Sequence, residues 1–207
     1  MNASMRRAIV LVGLLLGVGT ASAQEVQLDV RFKLTDEDYK PLAEQPVRIA
    51  FGPGSDWAAP DVGQRATTDA QGEAQFTAKV ELGTAREVRD TSWLNVVDAG
   101  EEARTLEAYV ALPFLGQEWL YGVKTYTFAD GDGMHRGFDV YLPDASGRYT
   151  RKFSEDAGTH TIDLGNGMVM QGSGYSPWEA QLEPVDGASD RWTLKLSFMK
   201  HPEPVRR

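Results

Sequence analysis

The segment most suggestive of chemistry is the Asp-Gly-Asp-Gly run at residues 130–133. Its two carboxylates, Asp130 and Asp132, stand one residue apart in a glycine-rich stretch, and calcium takes oxygen ligands from flexible loops of this kind. The next positions hold Met134 and His135, so the further oxygen ligands of an EF-hand loop are missing. Asp-Gly is equally typical of a hairpin turn. Both interpretations are open, and because the ligand set is incomplete we expect calcium to leave the melting temperature unchanged.

Histidine, serine and cysteine give little further indication of catalysis. A site of His135 with the two aspartates is conceivable, but His160 and His201 add no spacing typical of a transition-metal pair. The chain has no Gly-x-Ser-x-Gly motif and no cysteine, which removes thiol catalysis, zinc-thiolate sites and disulfides. We therefore expect no catalytic residue, no metal and no cofactor.

Two tryptophans are candidate contacts for a protein or glycan partner. Trp57 lies in a stretch rich in Gly, Pro and Asp, and Trp119 begins an aromatic-rich strand. Exposed aromatic side chains on a β-scaffold mark binding surfaces, although packing as loop caps is an open alternative for both. Trp178 and Trp192 fall in phase with the apolar sets of their strands, so we predict that both lie in the core.

The elements that must position these residues are strands. Apolar and polar residues alternate along most of the chain, which puts one face of each strand in the core and the other in water. Turn signals separate the strands, including Asp-Ala-Gln-Gly at 69–72, Asp-Ala-Ser-Gly at 144–147 and Asn-Gly at 166–167. The pattern predicts about ten strands, no helix, and a buried set that includes Phe32, Ile49, Phe76, Val110, Leu182 and Leu194.

The first 23 residues have the three parts of a secretory signal peptide. Arg6 and Arg7 precede an uncharged run from Ala8 to Gly19, and Ala-Ser-Ala at 21–23 supplies the small residues of a cleavage site. The run is shorter than the roughly 20 residues of a membrane span. We predict cleavage before Gln24, a periplasmic or secreted protein, and no membrane span after cleavage.

The charge of the chain excludes some partners. The formal net charge is −9, and it is two units more negative without Arg6 and Arg7. An acidic surface without a basic patch is repelled by phosphate backbones and anionic lipid, so we expect no nucleic-acid partner. The charge is also typical of a soluble protein.

Residues 26–82 resemble the transthyretin-like, carboxypeptidase-regulatory-like β-sandwich modules. The resemblance rests on a strand followed by an acidic turn, the step Pro41-Leu42, a second strand, and a Thr-Asp-x-x-Gly turn at 68–72 that leads into an alternating strand. The Gly-Ala pair usual before the second strand and the Gly-x-Tyr usual after the last one are absent. Such modules are mostly non-catalytic and serve in spacing, adhesion or ligand binding.

Together these features predict an all-β protein with an immunoglobulin-like or prealbumin-like β-sandwich at residues 24–112. Residues 113–200 form either a second antiparallel sandwich or a continuation of the first, and residues 201–207 form a disordered tail. We expect a non-catalytic module of the bacterial cell envelope that binds a protein or glycan partner or acts structurally. The alternative is an envelope hydrolase or calcium-assisted enzyme that uses the Asp130–Asp132 loop.

Overall fold

The computed structural model of the chain describes residues 24–52, 62–86, 102–127, 133–155, 161–165 and 168–203. This part of the chain is all strand and turn, without a helix, which confirms the predicted fold class. It contains more strands than the ten expected. They are β1 Gln24–Thr35, β2 Pro46–Phe51, β3 Gln64–Thr67, β4 Glu73–Arg86, β5 Glu102–Phe114, β6 Gln117–Thr127, β7 Gly133–Pro143, β8 Tyr149–Ser154, β9 Thr161–Gly165, β10 Met168–Gln171, β11 Tyr175–Pro184 and β12 Arg191–Lys200.

All strands except β9 and β10 belong to one continuous ten-stranded sheet, which has two parts joined through β4. The part that we call the first sheet has the strand order β11-β12-β1-β4. Its centre is β1, which pairs antiparallel with β4 and parallel with β12. Val30 lies opposite Phe76 of β4 and Leu194 of β12, so the apolar residues of three strands share one face. The parallel pair joins segments far apart in the sequence, and hairpin turns alone cannot specify such a pair.

The second sheet is built around β5 and contains β3, β2, β5, β6, β7 and β8. The chain passes between the sheets in β4, whose last residues, Gly83–Arg86, leave β1 and pair with β5. Further along β5, the edge that pairs with β4 also pairs with β2. The other edge of β5 pairs with the whole of β6. A separate hairpin is formed by β9 and β10. The domain boundary predicted from the sequence, between residues 112 and 113, falls within β5.

The main core lies between the two sheets and draws on both. The six strand residues given as the predicted buried set are all buried, which confirms the alternation at those positions: Phe32, Ile49, Phe76, Val110, Leu182 and Leu194. Truncation of a buried phenylalanine such as Phe76 to alanine is expected to cost about 3–5 kcal/mol.

Aspartate-led turns connect several strands as the sequence predicts. At 69–72 the Asp69 carboxylate accepts hydrogen bonds from the backbone N–H groups of Gln71 and Glu73, and Gly72 takes a φ of 72°. Asp144 and Gly147 repeat this arrangement between β7 and β8. Glycine takes the left-handed conformation at the last position because it has no Cβ to clash there.

Candidate functional site

Several residues singled out in the sequence lie outside the described residues: Trp57, Asp130, Asp132 and His160. For the Asp-Gly-Asp-Gly segment, the structure gives the flanking strands. β6 and β7 pair antiparallel, with Thr127 opposite Gly133. His135 lies within β7, where its backbone pairs with that of Thr125.

Trp119, one of the two candidate contact residues, lies in the core, so of the two alternatives left open for it the structure shows packing. Its side chain is 0% exposed and meets Phe114 edge to face, with ring centroids 4.9 Å apart. The sequence around Trp119 is apolar at successive positions, and Leu120 is buried on the opposite face of β6. Period-two alternation therefore could not show which residue of this strand faced outward.

Trp178 is the reverse case, because the prediction that it packs in the core is wrong. Its side chain is 46% exposed. Pro177 pairs with Phe198 but Glu179 pairs with Ser197, so Trp178 occupies an irregularity in the β11–β12 register. A β-bulge adds a residue to one strand and turns its side chain out of the regular alternation. The bulge therefore brings this tryptophan to the surface.

Tyr39 is a second exposed aromatic residue, which the sequence did not indicate as a site. It lies in the turn after β1, is 65% exposed and has a φ of 61°. The turn is held by the Asp36 carboxylate, which accepts hydrogen bonds from the backbone N–H groups of Asp38 and Lys40. A positive φ is uncommon for a bulky residue and costs about 1–2 kcal/mol. The sequence signal that could have pointed to Tyr39 is an aromatic residue at a turn position that glycine or asparagine usually occupies.

Tyr39 and Trp178 contact each other. Their ring centroids are 6.2 Å apart and their planes meet at 82°. We call these two residues the aromatic pair. Edge-to-face packing of this kind holds both rings in place while it leaves apolar surface open to solvent. A strained turn and a bulge thus place two large aromatic rings together on the surface.

A cleft lies beside the aromatic pair, lined by residues 36–38 of the turn and residues 200–203 after β12, with a volume of about 270 Å³. We call it the adjacent cleft. Tyr39 comes directly after residues 36–38, which form one wall of the cleft. Four of its lining side chains are carboxylates, and they face one lysine, one histidine and one proline. The cleft therefore has net negative charge.

His201 is fixed in the structure, so the predicted disordered tail does not include its first residue. Its backbone N–H donates to the Gly174 carbonyl at 2.8 Å, and its Nε2 lies 2.8 Å from the Ser176 hydroxyl. A serine–histidine contact is the first half of a nucleophilic triad, but a triad also needs a group that orients the imidazole. No such carboxylate contact to His201 is found in the described ranges. We interpret this contact as an anchor for the cleft wall.

A second polar region covers the face of the second sheet that points away from the main core. Arg48, only 2% exposed, forms an ion pair with Glu118, which also accepts a hydrogen bond from Tyr149 at 2.7 Å. Burial alone would raise the pKa of Glu118, but the hydrogen bonds from Arg48 and Tyr149 lower that pKa below its usual value. Arg48 and Tyr149 both donate hydrogen bonds to Glu118, so the region is a hydrogen-bonded network.

Tyr109 and Tyr141 extend this polar face over Gly122 of β6. Their hydroxyls donate to Glu107 and Asp139, at 2.9 and 3.2 Å. A Cβ on Gly122 would approach both rings, at 3.1 and 3.3 Å. Burial, together with these carboxylates, raises the pKa of Tyr141 to about 12 and that of Tyr109 further.

In the described ranges, no three His, Asp or Glu side chains are grouped so that they could hold a metal ion. The carboxylates of the adjacent cleft thus do not converge on one point. No helix in this part of the chain has the length and apolar character to span a membrane.

Comparison with known proteins gives no family. No protein-family model matches the chain, and no curated protein matches it. Among solved structures, it is similar to the 3-chlorocatechol 1,2-dioxygenase of Rhodococcus opacus 1CP, with a TM-score of 0.36 and 10% sequence identity. The match covers 88% of this chain and spans 62% of the dioxygenase chain. At this level the likeness has no bearing on function.

Proposed function

We propose that this chain is an exported, non-catalytic β-sandwich protein of the bacterial cell envelope that binds a partner through the aromatic pair. The observation that supports this most is the exposure of Tyr39 and Trp178 side by side. An exposed tryptophan buries a large area when a partner covers it, and Trp and Tyr are enriched among the residues that dominate binding energy.

The local geometry supports the same proposal. Tyr39 has a positive φ, and Trp178 occupies a break in the strand register. Both features are locally unfavourable, and strained residues cluster at binding and catalytic sites. The resemblance of residues 26–82 to transthyretin-like modules, which are mostly non-catalytic, agrees with a binding role.

The binding test uses the purified chain starting at Gln24 and isolated cell envelopes of the producing bacterium. Co-sedimentation gives an apparent Kd for the wild type and for the Tyr39→Ala/Trp178→Ala double variant. We expect the double variant to bind at least about tenfold more weakly, because it removes both aromatic anchors.

The matched control is Val169→Ala, which truncates an exposed apolar side chain on the β9–β10 hairpin. It should bind as the wild type does. Equal binding by the wild type and the double variant would show that the aromatic pair is not the binding surface.

The export part of the proposal has a separate test. Cell fractionation should recover the mature protein outside the cytoplasm with Gln24 as its first residue. An exported pool whose sequence begins at Met1 would contradict signal cleavage.

A further inference from the structure

The aromatic pair and the adjacent cleft are connected through neighbouring residues of both segments. Tyr39 follows Asp38, which lines the cleft, and Trp178 lies two residues after Ser176, whose hydroxyl contacts the cleft residue His201. A ligand that covers the two rings therefore also meets the cleft wall. The residues that line this wall therefore determine which ligands the surface can bind.

The carboxylates of the cleft are engaged to different extents. Asp36 accepts two backbone N–H groups, and Asp38 pairs with Lys40 at 2.8 Å. Glu203 lies 3.6 Å from Lys200 and is half exposed. Glu37 is exposed, and within the described part of the chain it makes no ion pair. Glu37 and Glu203 are thus the carboxylates available to a ligand.

We propose that the occupant of this surface is a basic segment of a partner protein, with an arginine or lysine side chain against the aromatic pair. This proposal rests on the proposed function and names the chemistry of its ligand. Cations bind over aromatic rings, best over tryptophan, and carboxylates form charge-assisted hydrogen bonds with guanidinium and ammonium groups. The surface places the aromatic rings next to the carboxylates of the cleft.

Charge selects this occupant over others. The chain has a net charge of −9, so its field attracts basic segments and repels phosphorylated or acidic ones. A neutral glycan can stack on the rings, but it does not complement the negative charge of the cleft. The volume of about 270 Å³ suits one or two side chains rather than a folded domain.

The test is to titrate the chain with an acetylated and amidated arginine hexapeptide and to measure the Kd by isothermal titration calorimetry. Trp178→Ala should raise the Kd at least about tenfold, since it removes the ring under the cation. Glu37→Gln/Glu203→Gln should raise the Kd by about threefold to tenfold, and salt should weaken wild-type binding.

The matched control is Glu25→Gln/Glu81→Gln. It changes the net charge equally at two exposed residues that face each other on β1 and β4. It should change the Kd by less than about twofold, because the effect of distant exposed charges is screened. An equal loss in both double variants would mean general attraction of a polycation and would overturn the proposal.

Three further outcomes separate this proposal from the one it rests on. If envelope binding depends on Trp178 but hexapeptide binding does not, the binding surface stands and the basic ligand is wrong. The basic ligand is also wrong if a neutral N-acetylglucosamine oligosaccharide binds in a Trp178-dependent, salt-independent way. If envelope binding does not depend on the aromatic pair, the proposed function itself fails.

Discussion

Arg48 of β2 and Glu118 of β6 form an ion pair on the outward face of the second sheet, although β5 lies between their strands. Arg48 also donates to the Val62 carbonyl at 2.7 Å, and Tyr149 donates to Glu118. A guanidinium this deeply buried needs such partners, because loss of one leaves a buried charge uncompensated. The pair and its partners therefore join β2, β6 and β8 with the segment that precedes β3.

The first prediction concerns acid stability. The hydrogen bonds from Arg48 and Tyr149 lower the pKa of Glu118 despite its partial burial. Since the folded pKa is below the unfolded value of about 4.3, the stabilisation is present above that pH and is lost as pH falls through the folded pKa. Glu118→Gln should cost about 1.5–3 kcal/mol at neutral pH.

Urea unfolding across the acid range measures this difference. The gap in unfolding free energy between the wild type and Glu118→Gln should narrow below about pH 4. A gap of constant size down to pH of about 2 would show that the charge of Glu118 contributes no stability.

The second prediction concerns alkaline stability. Burial and the hydrogen bond to Glu118 raise the pKa of Tyr149 to about 12. Burial and the nearby Asp139 carboxylate also raise the pKa of Tyr141 to about 12. Because both folded pKa values exceed the unfolded value of about 10, the stabilisation is present below that pH and is lost as pH rises through about 12.

Near-ultraviolet absorbance of phenolate, followed with circular dichroism, tests this. Ionisation of these half-buried tyrosines should coincide with loss of structure, and Tyr149→Phe should make the alkaline loss of stability less steep. Complete ionisation of all tyrosines near pH of about 10 with the fold intact would contradict the raised pKa values of Tyr141 and Tyr149.

The third prediction compares two glycines in the segment before β11. Gly172 and Gly174 have φ values of 86° and 74°. A Cβ at Gly172 meets nothing within 4 Å, whereas a Cβ at Gly174 would lie 2.8 Å from the Phe114 ring. Gly172→Ala should cost about 1–2 kcal/mol, from the backbone alone. Gly174→Ala should cost a further 1–3 kcal/mol or so, from overpacking.

Denaturant unfolding of the two variants gives the comparison. Because backbone strain is common to both, the difference between them isolates the contact with Phe114. Equal losses would mean that the ring moves away at no cost.

The fourth prediction concerns tryptophan fluorescence. Trp178 is half exposed and Trp119 is fully buried. Trp178→Phe should therefore reduce the fraction of emission that acrylamide quenches, while Trp119→Phe should increase it. The reverse pattern would contradict the exposure of Trp178 and the burial of Trp119.

Much of the fold follows from local sequence. Alternation placed Phe32, Ile49 and Phe76 in the core, and the Asp69 turn was recognised from its own residues. Each of these signals involves residues near one another in the chain, whose geometry is fixed by the period of a strand or the chemistry of a turn.

The candidate site was not predictable in the same way. The bulge at Trp178 depends on the register between β11 and β12, and a shift of one position reverses which side chains are buried. Trp119 lies among apolar residues that fill both faces of β6, so alternation does not exist there. The contact of Trp178 with Tyr39 joins distant segments, for which a single sequence holds no signal.

The parallel pairing of β1 with β12 has a consequence for the order of folding. β1 is synthesised early, but one of its edges acquires a partner only when residues 191–200 have been made. Until then its backbone N–H and C=O groups on that edge are open to pairing with another chain. Contacts of such long range slow folding, so a chain of this topology is expected to depend on chaperones or dilution to avoid aggregation before the last strand arrives.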